Sequence, residues 1–194
     1  KLHNLMSLRK QIIKRPVITT VEVLVKPVSS KNDMFFTGFV HKPYPPIYLE
    51  LSRNAQFNSA TVIRGTEGGI IPSLRQTGKV HFYRSAGEQD DSYDVTPDEL
   101  GIVQSSRAVD IPEEITRKNT KDKIESKVDA VDIAKETIKS GISALSGNDG
   151  PMLSCIQLGA AIVLQRATGD DLDNCSKEVL RVLKSGAALK RMKR

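Results

Sequence analysis

Apolar residues along the chain change their spacing several times, and each change marks an element. Leu2, Leu5, Met6, Leu8 and Ile12 recur at roughly helical spacing until Pro16 halts the pattern. Thr19 to Val25 is rich in valine and threonine and fits a strand by composition, and Lys26-Pro27 ends it whatever its conformation. Met34 to Val40 reads as a strand, after which Pro43, Pro45 and Pro46 open a helix over Ile47 to Arg53. Ala60 to Ile63 reads as the next strand and completes a β-α-β unit, and Lys79 to Arg84 alternates well enough for a third. Glu88 to Glu99 is expected to be the acidic surface return from that strand. Thr96-Pro97-Asp98-Glu99 has the acids of a helical first turn, but Gly101 comes too soon for a long helix.

The second half is helical in pattern. Lys118 to Lys127 is a polar linker. Val131, Ala134, Ile138, Ile142 and Leu145 then step by 3, 4, 4 and 3 along one face of an amphipathic helix, closed by Gly147-Asn148-Asp149-Gly150. Pro151 sits at a first helical position ahead of Met152 to Arg166, where polarity is confined to Ser154, Gln157 and Gln165 before the end. This should be the central buried helix, with Ile156 in its core face. Asp170 or Asp171 can cap a last helix whose inward residues are Leu172, Cys175, Val179, Leu180 and Leu183, with Lys184, Lys190, Arg191, Lys193 and Arg194 enriched near its end. No internal repeat is present, and the order of elements indicates a single α/β domain over 1–194.

Ala60 to Leu74 says the most about function. The β-branched run Thr61-Val62-Ile63 suits a strand covered on both faces, and Gly65, Gly68 and Gly69 free the backbone just beyond its C-terminal end, where open α/β sheets bind ligands. Neither a P-loop Gly-Lys-Ser/Thr nor a spaced Gly-x-Gly-x-x-Gly is present. The loop therefore reads either as a phosphate cradle or as an ordinary tight turn.

Composition narrows the classes. With 194 residues, 39% hydrophobic and 27% charged, the chain has the make-up of a globular domain with a real core. No apolar run approaches the roughly 20 residues of a membrane span, and no signal-peptide apolar region follows the N-terminal basic residues. A cytoplasmic or organellar interior is expected. The opening Lys1 and the closing Arg-Met-Lys-Arg suggest part of something longer. Cys155 and Cys175 lie twenty apart with no partner at metal spacing and read as buried apolar residues in a reducing compartment. His3, His41 and His81 are scattered singly and read as structural or solvated. No nucleophilic triad or metal set can be argued, so no catalytic or metal residue is assigned. The net charge of +6 is unevenly placed. Residues 1–21 carry Lys1, Arg9, Lys10, Lys14 and Arg15 with no acid, which fits either a polyanion contact or a solvated face.

Several motifs look familiar together. Leu2-His3-Asn4-Leu5-Met6, Lys14-Arg15-Pro16, Gly38-Phe39-Val40-His41-Lys42-Pro43, Val62-Ile63-Arg64-Gly65-Thr66-Glu67-Gly68 and Ser185-Gly186-Ala187-Ala188-Leu189 resemble the larger α/β domain of anthranilate phosphoribosyltransferase and its relatives in glycosyltransferase family 3. Arg15, twelve residues before Pro27, fits the same spacing. The resemblance implies the phosphoribosyltransferase and nucleoside-phosphorylase-like fold, a sheet-plus-helices domain related to tryptophan biosynthesis enzymes. It implies further that a small helical domain and a glycine-rich diphosphate loop precede Lys1, and that the protein is a homodimer through that helical domain. It also implies a helix rather than a strand at Thr19 to Val25.

Family members that use phosphoribosyl pyrophosphate hold magnesium with an Asp-Glu pair shortly after the strand and glycine matching Ile63 and Gly65. Here Ile70 and Ile71 stand at that place, and isoleucine has no oxygen to offer a metal. Arg15 matches the arginine that contacts the aromatic acid, yet Pro16 and Thr19 replace its usual polar partners. The sequence is similar instead to a divergent branch with an Arg-Gly-Thr-Glu-Gly loop whose members bind nucleic acid without sequence preference. On that reading no cofactor is held in this chain. Arg9, Lys10, Lys14, Arg15, Arg64 and Arg75 contact phosphates around a loop of Gly65, Glu67, Gly68 and Gly69. The alternative is an active glycosyl or phosphoribosyl transferase that uses phosphoribosyl pyrophosphate, magnesium and an unidentified base.

Overall fold

A computed structural model describes residue 11 and residues 21–26, 28–115 and 128–193 of the chain. The segment before Val21 expected to be helical, with Arg9, Lys10, Lys14 and Arg15, lies outside the described residues apart from Gln11, as does the whole polar linker Lys118 to Lys127. Where Thr19 to Val25 becomes visible it is helical rather than extended: Val21 has helical angles and Glu22–Leu24 forms a 3-10 turn.

Strand β1 (Met34–Phe39) leads into helix α1 (Tyr44–Asn54), and α1 returns to β2 (Ser59–Arg64), which pairs parallel to β1. A parallel pair needs such a crossover. The prolines preset the first turn of α1, and Pro45, Tyr48, Leu49 and Ser52 recur at helical spacing on its buried side. Strand β3 (Gly78–Tyr83) then pairs antiparallel to β2, and β4 (Asp91–Val95) antiparallel to β3, so the sheet runs in chain order. Strand β4 lies inside the acidic stretch expected to be a mere surface return. Its alternation escaped notice because only Val95 is buried, while Asp94 pairs with Lys79 at 3.6 Å. The rest of the acidic charge is partly answered by Arg53, whose guanidinium meets Asp90 at 2.6 Å.

Helices α2 (Ala130–Leu145), α3 (Pro151–Thr168), α4 (Leu172–Lys184) and α5 (Ala187–Met192) follow. Asp129 caps α2 and Asp171 caps α4, each accepting from a backbone N–H of the first turn. The last helix expected from sequence is in fact two, because Gly186 takes a left-handed conformation (φ 69°) and splits it.

Alternation along β2 builds the layers. Ala60 and Val62 meet Phe35, Tyr48, Leu49 and Phe57 on the α1 side, whereas Ile63 meets Val80, Leu158 and Ile162 on the α3 side. The central helix is α3, as its composition suggested, although Ile156 is only partly buried and packs with the helical cluster around Leu153 and Leu183. Cys155 and Cys175 are both free thiols and both buried. No helix among the described residues is long and apolar enough to cross a membrane.

Candidate functional site

The loop after β2 closes on itself. Gly65 leaves the strand extended, Thr66–Gly68 turns as a 3-10 helix, Gly68 takes φ 79°, and Gly65 forms a bridge with Pro72 on the way back. Its amides are engaged internally. The N–H of Gly65 donates to Ile63, that of Thr66 to Ile71, that of Gly68 to Gly65 and that of Gly69 to Thr66, at 2.9, 2.9, 3.4 and 2.9 Å.

The glycines instead permit close packing. A Cβ on Gly65 would stand 1.4 Å from the carbonyl oxygen of Gly69, and one on Gly38 of β1 would stand 2.1 Å from the same atom. Two strand ends and one loop thus meet where no side chain fits.

Polar side chains gather on the flank of this loop. Arg64, Thr66, Gln76, Thr77 and Arg107 line, with Gly65, Ser73 and Gly78, a pocket of about 40 Å³. That is room for a small anion or water and far less than a nucleoside needs. The Ser73 hydroxyl accepts from the N–H groups of Arg75 and Gln76 at 3.2 Å each, which fixes the turn presenting Gln76. Thr77 and Thr96 share a hydroxyl hydrogen bond at 3.3 Å. The Thr66 hydroxyl is buried and has no hydrogen-bond partner, which leaves a polar atom waiting for one. Arg64 and Arg107 are both exposed, and both residues line the pocket.

The sequence-derived residues are distributed unequally around this pocket. Arg64 and Gly65 line it. Arg75 does not: its guanidinium donates to the Ser105 carbonyl at 3.4 Å, which ties the loop to the segment carrying Arg107. Gly68 and Gly69 form the far side of the loop, and Glu67 lies in its 3-10 turn. Arg9, Lys10, Lys14 and Arg15 lie outside the described residues. Ile70 is 49% exposed and Ile71 packs against α3 opposite Gly159, so neither turns a side chain into the polar pocket. Among the described residues no group of three or more His, Cys, Asp or Glu side chains could hold a metal ion.

Arg107 was missed by sequence reasoning, and so were Thr66, Gln76 and Thr77. The small polar run Ser73 to Gly78 between two strands carried a usable signal for Gln76 and Thr77. Arg107 carried none, because its segment lacks periodicity and joins the loop through long-range bonds, from Leu74 N–H to the Arg107 carbonyl at 2.9 Å and from Arg75 to the Ser105 carbonyl.

Comparison with known proteins places the fold. No family model matches the chain. Over 72 residues it is 36% identical to an uncharacterised protein of Aquifex aeolicus (strain VF5), covering 37% of this chain and 23% of that protein. It superposes with a TM-score of 0.72 on anthranilate phosphoribosyltransferase from Saccharomyces cerevisiae in complex with 4-fluoroanthranilate, at 15% identity, over 99% of this chain and 50% of that one. The same yeast enzyme in complex with PRPP and Mg gives a TM-score of 0.71 at 15% identity, over 99% and 49%. The chain therefore spans about half the length of these solved chains, and its 72 matched residues span about a quarter of the Aquifex protein. The α/β fold expected from the sequence motifs is the fold observed.

Proposed function

We propose that this chain is the C-terminal α/β part of a phosphoribosyltransferase-like protein that grips the sugar-phosphate backbone of nucleic acid without reading its sequence. Arg64 and Arg107 make the central phosphate contact, and Arg9, Lys10, Lys14, Arg15 and Arg75 extend it. The observation that carries this reading is the pocket beside the loop, a space sized for one small anion lined by two arginines and by Thr66, whose hydroxyl is buried and unpartnered. Guanidinium groups suit phosphate oxygens because they donate in a planar fork. Supporting it, Ile70 and Ile71 offer no oxygen to a metal, so charge on a bound phosphate is balanced by arginine instead.

The test is a titration of labelled duplexes of unrelated sequence at several salt concentrations. If about six phosphates are contacted, affinity should fall with a log-log salt slope of roughly −5 and hardly differ between sequences. Arg107→Ala should weaken all sequences alike and reduce that slope by about 1. No binding even at low salt would end the proposal.

The likeness to a solved enzyme in complex with PRPP and Mg favours a second reading, a transferase acting on an unidentified base. Incubation with phosphoribosyl pyrophosphate, magnesium and a panel of bases separates the two. Release of pyrophosphate, abolished by Glu67→Gln, would support the transferase.

A further inference from the structure

The hairpin of β3 and β4 carries an arginine over an aromatic ring on each face of the sheet, and the two are treated differently. On the α1 side the Arg53 guanidinium lies 4.2 Å over the Tyr83 ring. It donates to the carbonyls of Ala86 and Glu88 and to the Asp90 carboxylate, at 3.1, 2.9 and 2.6 Å. On the α3 side Arg166, in the last turn of α3, lies 3.8 Å over the Phe82 ring. Its Nε is buried without a hydrogen-bond partner, and among the described residues its guanidinium makes no ion pair. A buried donor left unmatched marks a place where a bound ion or water completes the network.

A second guanidinium shares that ring. Arg84 follows Phe82 by two positions, so it stands on the same face of the hairpin, and its guanidinium carbon lies 5.0 Å from the ring centre. Arg84 is exposed and also makes no ion pair among the described residues. Burial above all, with the Arg84 charge adding to it, pushes the Arg166 guanidinium down from its ordinary range, although an arginine stays charged. Glu88 and Asp91 oppose that push without closing on either arginine, and the Asp91 carboxylate accepts instead from the N–H of Ser92 at 2.7 Å. Contact with a ring face holds the two cations in place but uses none of their N–H donors.

We propose that Arg84 and Arg166 form a binding site for one phosphate-sized oxyanion, either free phosphate or the phosphoryl group of a ligand. Such an anion accepts from both planar forks at once and relieves the repulsion between them. The site is separate from the pocket beside the glycine loop. Gly78, which lines that pocket, begins β3, and Arg84 lies just past the other end of the strand, about 20 Å away. The proposal does not depend on the nucleic-acid reading.

The 194-residue chain, isotope-labelled at arginine, is titrated with inorganic phosphate and, at equal ionic strength, with chloride, while the Nε–H signals are followed by nuclear magnetic resonance. The titration is repeated in Arg107→Ala protein, which removes the share of the loop pocket. The expected result is a saturable shift of the Arg84 and Arg166 signals that phosphate produces and chloride does not. Arg84→Gln, a change at an exposed position, should weaken phosphate binding read at Arg166 at least about tenfold. Arg84→Lys, which keeps the charge but not the fork, should recover part of that loss. Asp91→Asn, which removes a competing carboxylate and keeps the acceptor for Ser92, should tighten binding about two- to fivefold. A DNA duplex added to the phosphate-loaded protein distinguishes the sources. Displacement of phosphate at Arg166 would assign the site to a nucleic-acid phosphate, and an undisturbed Arg166 signal would assign it to free phosphate or a small phosphoryl ligand. Shifts that chloride matches, shifts that never saturate, or an Arg84→Gln protein that binds phosphate as tightly as the parent would each overturn the proposal.

Discussion

Helices α2 and α3 are neighbours in sequence and both carry a regular apolar pattern, yet one places its pattern in the core and the other in solvent. On α3, Leu158, Ala161 and Ile162 are fully buried, and the inward amides and hydroxyls are matched, whereas the buried Nε of Arg166, whose guanidinium lies over the Phe82 ring, has no hydrogen-bond partner. Gln157 donates to the Ser176 hydroxyl at 2.9 Å, Gln104 donates to the Ser154 hydroxyl at 3.1 Å, and the Tyr93 hydroxyl donates to Gln165 at 2.5 Å. On α2 only Ala144 is buried, while Ile138 is 61% exposed and Ile142 41%. Periodicity decides which residues share a helix face. What covers that face is a long-range fact that the period does not contain.

The sharpest way to break this comparison is Leu158→Ala, which should leave a cavity between α3 and β2 and cost about 2–5 kcal/mol in chemical denaturation. A loss below about 1 kcal/mol would remove α3 from the centre of the fold. Gln157→Ala should cost about 1–3 kcal/mol, because the buried Ser176 hydroxyl loses its partner.

Tyr93→Phe should cost about 0.5–1.5 kcal/mol near neutral pH through the lost bond to Gln165. It also has an alkaline signature. Burial pushes the Tyr93 hydroxyl up to about 12, with nearby Arg166 opposing the shift. An unfolded tyrosine titrates near 10. The folded value is the higher one, so this contribution is fully present below about pH 10 and is lost as pH rises from about 10 to about 12. Denaturation of the Tyr93→Phe protein should therefore fall less steeply across that window than the parent.

The smallest effect belongs to α2. Ile138→Ala should change stability by about 0.5 kcal/mol or less, because little apolar surface is lost. A cost near 2 kcal/mol would show that the stripe is covered in solution and would bring the two helices back together.

The same division explains what could be read from the sequence. The β-α-β unit, β3 and helices α2 to α4 were legible because each is stated by local spacing, a cap or a proline. Strand β4 was not, since a polar edge strand is recognised by its partner rather than by its own residues. The helix break at Gly186 did have a local signal, a glycine just after a last turn carrying Arg181 and Lys184, that was passed over. At the candidate site, Arg64 and the loop glycines followed from a strand ending in Gly65. Arg107 depends on a chain reversal that brings residue 107 beside residue 74, which no neighbouring residue announces.

The two buried thiols give the helical layer its own clock. Cys155 on α3 and Cys175 on α4 are sealed from solvent, and burial pushes both thiols up from their ordinary range, which disfavours the reactive thiolate. An alkylating reagent added to the folded protein must wait for the layer to open. The labelling rate of each sulfur then measures how often its helix lifts away, and a rate for Cys155 matching that for Cys175 would mark α3 and α4 as a single opening unit.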